Sequence, residues 1–330
     1  MPKSAEVIVI GSGIGGLCCA GLTARAGREV LVLEAHSQPG GAAHGFERQG
    51  YCFESGPSLW SGLSRWPSSN PLAQILRALD QPLDVFTYND WDVLCPEGHL
   101  RVGVGGDGFE RVVETLRGPE ALAEWQRFTE VLQPIASAAD ALPLLALPAS
   151  VDGIGPLLRR SGRLVQHLPA IRYLSGAFGP LVDRHLQDPF LRHWVDLLCF
   201  LISGMPMADT NAAAMATLFG EWFDPQACLD FPQGGSAAVV NALVRGLNVN
   251  GGSLRLGARV HRVLLDGDRA IGVELSTGET LYADVVVSNA DAWGTAGLLP
   301  ERASMAWSQD RRSTPACHSF LHLHLGFDAS

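Results

Sequence analysis

Three short stretches carry residues whose types and spacing fit a chemical task. Gly11-Ser12-Gly13-Ile14-Gly15-Gly16 sets glycines at its first, third and sixth positions. Glu34 follows about twenty residues after Gly13, and Gly40-Gly41 comes just beyond it. This spacing serves the binding of a dinucleotide. Gly11 can make a tight turn, Gly13 lets the backbone approach a pyrophosphate, and Gly16 lets a helix pack close to a sheet. Free N–H groups at the helix start, with the helix dipole behind them, hold phosphates. An acid at Glu34 accepts hydrogen bonds from an adenosine ribose and repels the 2′-phosphate of NADP.

The elements around these residues suit the task. Val7-Ile8-Val9-Ile10 reads as a buried strand that enters the glycine turn. Ala20 and Ala24 keep the following helix thin, and Gly27 is placed as its stop. Val30-Leu31-Val32-Leu33 is the next strand and delivers Glu34 at its end. A simple NAD domain would then run into another βα unit. Here Gly40-Gly41 follows, and paired glycines let a backbone lie against a bulky ligand. That favours FAD over NAD; a flexible loop is the other reading. Tyr51-Cys52-Phe53 then leads into a second sharp turn at Glu54-Ser55-Gly56-Pro57-Ser58.

At 330 residues the chain can bury more than one core, and two domains are expected. A net charge of −10 argues against nucleic acid as a partner. Hydrophobic residues make up 47% of the chain and mean hydropathy is +0.13, yet no apolar run reaches the roughly eighteen residues of a membrane span. Seven scattered cysteines without a CxxC pair read as reduced thiols of a cytoplasmic-type compartment, Cys18 and Cys19 serving as packing residues.

Further along, Asn70-Pro71 opens a helix that buries Leu72, Ile75, Leu76 and Leu79. Asp92–Cys95 and Leu100–Val104 form a hairpin around Pro96-Glu97-Gly98. Helices are expected over 109–116, 121–132, from Pro189 with Phe190, Trp194, Leu197, Leu198 and Leu201 on one face, over 210–222 and over 236–247. Strands follow over 253–266, 269–275 and 280–282. Ala283–Asn289, an apolar run with a polar end, reads as a return to the nucleotide-binding sheet. The nucleotide domain would then take 1–66 and 231–298, with a largely helical substrate domain over 67–230 and 299–330.

These residues resemble a known family. Val9–Gly16, Glu34 with Pro39–His44, and Phe53-Glu54-Ser55-Gly56-Pro57-Ser58 are similar to the flavin-dependent carotenoid desaturases and isomerases (the phytoene desaturase family of FAD-dependent oxidoreductases). Phe231-Pro232-Gln233-Gly234-Gly235, Val286–Ala290 and Ser319–Gly326 extend the likeness over nearly the whole chain. It is greatest to the carotenoid isomerase (prolycopene isomerase) branch, with retinol saturases nearby. The resemblance implies an α/β fold: a Rossmann-like FAD-binding domain of glutathione-reductase/amine-oxidase type with an inserted α+β, largely helical substrate domain. It places FAD contacts on Ile14, Gly15, Glu34, Ala35, Gly41 and Ala42, with Gly56, Pro57 and Ser58 beside the flavin and the Val260 backbone near the adenine. Family members run well past residue 330 with a segment that completes the flavin site, so the chain reads as a C-terminally truncated one.

The substrate this implies is a lipophilic polyene. From Gly153 to Val182 there is no acidic residue but there are four arginines, Arg159, Arg160, Arg163 and Arg172. That segment reads either as a peripheral contact with an anionic membrane, thylakoid or plasma, or as a helical cap with solvated arginines. Trp60 and Trp66 either line an apolar tunnel or serve as core aromatics. His322 and His324 share one strand face with His318 and Phe320, but without a carboxylate partner no metal is expected. His44 is the histidine placed nearest the flavin, without an assigned acid–base role. Cis-to-trans isomerisation on reduced flavin, desaturation or saturation of a similar substrate, and non-catalytic binding of a dinucleotide or carotenoid all fit. Amine oxidation fits less well, because it does not call for so apolar an inserted domain. No catalytic residue and no oligomeric state can be read.

Overall fold

The computed structural model describes residues 4–57, 59–68, 70–141, 170, 173–300, 305–316 and 321–327. The arginine-bearing segment around Arg159, Arg160, Arg163 and Arg172, together with Ser58 and His318, lies outside the described residues. Two compact units are formed. One takes the chain up to Tyr88, Leu229–Ala316 and the residues from Leu321; the other takes Asn89–Cys228.

The first unit is built on a parallel sheet. Strands β1 (Val7–Ile10) and β2 (Val30–Leu33) are joined by helix α1 (Ile14–Arg25). Gly27 follows the helix with φ +83°, the left-handed stop expected of it. The strand Ser253–Arg255 adds beside β2, and Val285–Ser288 adds beside β1, all parallel. The apolar run 283–289 thus does return to this sheet. β1 is buried on both faces, as its unbroken apolar sequence requires. Val7, Val9, Val30 and Val32 pack with Leu17, Ala20 and Ala24 of α1 and with Val240, Leu243 and Leu247 of the helix Gly235–Val249. Ile8, Ile10 and Leu33 turn to the other side, against Val260, Val263, Val273 and Leu275.

That second layer is an antiparallel sheet of Val260–Asp266, Arg269–Leu275 and Thr280–Tyr282. The run expected as one strand over 253–266 is therefore two strands in two sheets. Gly257, at φ +64°, breaks it. There the Gly257 amide donates to the His36 carbonyl at 3.0 Å and the Ala258 amide to the Glu34 carbonyl at 2.7 Å, which leads the chain past the end of β2.

Helix α2 (Pro71–Ala78) starts where expected, its N-terminus capped by the Asn70 side chain, which accepts from the Leu72 amide at 2.8 Å. Leu76 and Leu79 enter the core shared with Leu17, so residues 67–88 stand with the first unit. Trp60 is buried in a short strand; Trp66 is 54% exposed, with the Arg77 guanidinium 3.8 Å above its ring.

The second unit holds the hairpin Asp90–Cys95/Gly98–Gly103 and several helices. The helix expected over 121–132 runs from Pro119 to Ala141 and keeps Pro134 inside it. Trp125, Phe128, Leu132, Ile135 and Ala138 continue one buried stripe, and that burial outweighs the proline. In the helix Pro189–Ser203 the buried stripe is Phe190, Leu191, Trp194, Val195, Leu198 and Cys199, while Leu201 is exposed. Stacked aromatics fill this core; the Phe109 and Trp194 rings lie 4.6 Å apart. Burial pushes the Cys199 thiol up to about 12 and, in α1, the Cys18 thiol up to about 11, so both are inert packing groups. No helix of the described residues is long and apolar enough to cross a membrane.

Candidate functional site

A cavity of about 630 Å³ opens at the C-terminal ends of β1 and Val285–Ser288. The sheet changes direction of growth here: β2 lies on one side of β1 and the late strand on the other. Ligands of open α/β sheets bind at such a point.

Gly11, at φ +92°, turns the chain out of β1. Gly13 then precedes the first turn of α1, which has no side-chain cap and no acid, so its N–H groups face the cavity unpaired by side chains. Gly40 is knitted to this turn. Its amide donates to the Ser12 carbonyl at 2.9 Å, and it forms a parallel bridge with Gly13. A Cβ at Gly41 would lie 3.1 Å from the Gly13 Cα, and φ is positive at both Gly40 and Gly41. The two glycine stretches are one surface, and side chains there would fill it.

Glu34 stands at the far end. One carboxylate oxygen accepts from the Ser12 amide at 2.8 Å and the Ser12 hydroxyl at 2.6 Å; the other accepts from the His36 amide at 2.8 Å. Burial alone would raise this carboxyl. The hydrogen bonds from Ser12, His36 and Ala35 outweigh it and hold the group below the usual carboxylate range. The stabilisation this implies is complete above the ordinary value of about 4.3 and is lost as pH falls through the lowered folded-state value. Glu34→Gln, which turns an N–H toward Ser12, is expected to melt below the parent at pH 7. That gap should narrow as pH falls below about 4.3 and close as it passes the lowered folded-state value, where the parent carboxyl also protonates; a melting series from pH 7 downward reads it.

Of the residues expected at the site, Gly11, Gly13, Ile14, Glu34 and Ala35 line this cavity. So do Gly40, Gly41, Ala42, Pro57 and Val260. Gly15 and Gly16 do not: Gly16 is buried, its Cβ position against the Gly11 carbonyl and Asn289, and Gly15 is exposed, its Cβ position against the Asn289 side chain. Gly56 backs the lining: a Cβ there would lie 2.2 Å from the Ala42 carbonyl oxygen. Among lining residues that the sequence reading did not single out are Asn289, Asp291 and Arg259. For Asn289 a signal existed: it is the polar end of an apolar strand that rejoins the sheet.

The Pro57 side of the cavity is held from two directions. The His44 ring donates from Nδ1 to the Gly41 carbonyl at 2.8 Å, which leaves Nε2 to accept from the Ser55 hydroxyl at 2.9 Å. Across the turn, Glu54 accepts from the Ser236 amide at 2.5 Å and hydroxyl at 3.1 Å, and the same hydroxyl lies 2.7 Å from the Pro57 carbonyl. Ser236 is fully buried at the start of the helix Gly235–Val249. A Cβ on Gly235 would meet Glu54 Oε1 at 2.0 Å, so the glycine makes room for this capping carboxylate. His324 packs edge-on against Phe46, with ring centroids 5.1 Å apart.

A profile of the family described as flavin containing amine oxidoreductase matches residues 14–327. Prolycopene isomerase 1 of an Oncidium hybrid cultivar is 29% identical over 98% of this chain and 55% of its own length. The lycopene-forming phytoene desaturase of a Paracoccus strain is 28% identical over 88% of this chain and 55% of its own. The chain thus spans about half the length of the curated relatives it matches. Among solved structures, cyclohexylamine oxidase from Brevibacterium oxydans superposes with a TM-score of 0.60 at 18% identity, over 94% of this chain and 63% of its own, a likeness of fold. With the glycine turn, the ribose-end acid and the paired glycines gathered on one cavity, and with nearly its whole length matched, the chain belongs to the flavin containing amine oxidoreductase family.

Proposed function

We propose that this chain holds FAD in the cavity at the end of β1 and acts on a carotenoid-like polyene, turning cis double bonds trans. The observation that carries the FAD part is the convergence of Gly11–Ile14, Glu34, Gly40–Ala42, Pro57 and Val260, far apart in sequence, on one space. In this reading the Glu34 oxygens serve the adenosine ribose. The Gly13 turn, the first N–H groups of α1 and the Gly40–Gly41 backbone serve the pyrophosphate. Val260 presents backbone to the adenine, and the clamped Gly56–Pro57 turn forms the wall toward the ring system. Reduced flavin, when bound, supplies the transient electron or proton exchange that lowers double-bond order in a polyene. The protein's part is to orient, to exclude water and to keep the ring system fixed.

The polyene and isomerisation parts rest on the relatives' names, prolycopene isomerase among them. A relative named phytoene desaturase favours desaturation as a second reading. The purified chain is expected to show an oxidised-flavin spectrum. After reduction and anaerobic incubation with prolycopene, it should yield an isomer of unchanged mass. A product differing by two hydrogens would replace isomerisation by desaturation or saturation. A colourless chain that takes up no FAD would overturn the reading in favour of a non-catalytic binding protein or an inactive fragment.

A further inference from the structure

We propose that the Asn289 side chain is a diphosphate-contacting residue, a polar group that the sheet itself extends into this cavity. The proposal rests on the FAD reading above. Three observations carry it. Asn289 stands one residue past the parallel ladder that pairs Ile10 with Ser288, and its amide donates to the Ile10 carbonyl at 2.8 Å, so its backbone is fixed by the sheet. Its side chain lies across the glycine turn. A Cβ on Gly13 would come within 2.9 Å of Asn289 Nδ2, one on Gly15 within 2.8 Å of Oδ1, and one on Gly16 within 3.1 Å of the Asn289 Cβ. Yet among the described residues this half-buried amide has no hydrogen-bond partner, and it lines the cavity.

An amide that lines the cavity without a partner among the described residues keeps its N–H donors free for a ligand. The neighbours that define its surroundings are the open N–H groups of α1 and the Gly40–Gly41 surface, which suit an anion. An amide lying across the glycine turn adds neutral N–H donors beside the backbone ones, where phosphate oxygens can accept. The glycines at 13 and 15 leave the room that this side chain occupies. The ligand class is therefore a diphosphate ester of adenosine, with ADP as the minimal probe.

The test is calorimetric titration of ADP, adenosine and FAD into the parent chain and into Asn289→Asp, Asn289→Ala and Asn289→Ser. Asparagine to aspartate conserves shape and replaces a donor with a negative charge. Loss of one hydrogen bond to a charged group predicts about a tenfold weaker ADP complex for Asn289→Ala. Asn289→Asp should weaken it further, to about a hundredfold or more, because like charges then face each other. Adenosine affinity and melting temperature should stay at parental values. A packing role predicts the reverse order, with the isosteric Asp variant nearest the parent. Equal ADP affinity in parent and Asp variant, or equal loss for adenosine, overturns the proposal and leaves the FAD reading intact. ADP uptake without FAD uptake by the parent removes the FAD reading while the diphosphate contact stands. No ADP uptake by the parent overturns both.

Discussion

Gly16→Ala is expected to cost the chain its flavin. An ideal Cβ at this position lies 2.2 Å from the Gly11 carbonyl oxygen and 3.1 Å from the Asn289 Cβ and Nδ2. The first contact is with backbone, so no rotamer change can relieve it. Helix α1 must lift from the end of β1, and its first N–H groups move away from the phosphate end of the cavity. Overpacking of this kind costs about 1–3 kcal/mol. A loss of that size corresponds to a drop of several degrees in Tm, at about 2–4 °C per kcal/mol. Displaced phosphate donors should lower FAD affinity by at least about tenfold, since 1.4 kcal/mol is enough for that. The flavin-to-protein absorbance ratio after gel filtration reads it. Gly27→Ala is the control. Gly27 lies just past the other end of helix α1, but nothing lies within 4 Å of its Cβ position, and its φ of +83° adds only the left-handed penalty of about 1–2 kcal/mol. Its flavin content should match the parent's; an equal loss in both variants would sink the steric account.

The contrast between these glycines shows what a sequence can and cannot reveal. The turn at Gly11–Gly16, the ribose-end acid and the strands on either side are local features, set by spacing within one βα unit, and they are legible as such. So is the return of 285–288 to the sheet, because a short run of three valines bounded by polar residues reads as a parallel-sheet strand, although the structure leaves Val285 exposed. What could not be read is pairing across distance. Gly234-Gly235 reads as a turn before a helix. Only in three dimensions does Gly235 make room for Glu54, whose carboxylate caps that helix from 182 residues away. Gly257 marks a break inside the 253–266 run, but nothing local says that its two halves belong to different sheets. Asn289 was visible as a polar strand end, but its value depends on the strand order, which places it beside β1. The α-helix that runs through Pro134 fails a local rule because Ile135 and Ala138 are buried beyond it.

Asp230 is the strongest case of such distant pairing, and its removal should have the largest effect on stability. It is fully buried, in the strand Leu229–Pro232, immediately before the Phe231–Gly235 block. One carboxylate oxygen accepts from the Leu63 amide at 2.7 Å and the Ser64 amide at 3.1 Å, and the other accepts from the Thr87 hydroxyl at 2.8 Å. The side chain thereby joins three segments: the loop after Trp60–Ser61, the strand Val85–Tyr88 and its own strand, which pairs with both. Burial first, and the Asp230 carboxylate second, also hold the Tyr88 phenol above its usual value. Asp230→Ala leaves three donors without an acceptor, at about 1–3 kcal/mol for each one that water cannot reach. A net loss of about 3–5 kcal/mol follows if water reaches part of the space, which corresponds to a fall of roughly 6–20 °C in Tm. Asp230→Asn keeps the volume and one acceptor but turns an N–H toward a donor, so it should fall between the parent and Asp230→Ala. Thr87→Ala deletes one donor and leaves the other two bonds, so it should cost only about 1 kcal/mol. Thermal unfolding followed by circular dichroism ranks the four proteins. A Thr87→Ala variant as unstable as Asp230→Ala would show that the strand contact, not the carboxylate at the centre of three segments, carries the stability.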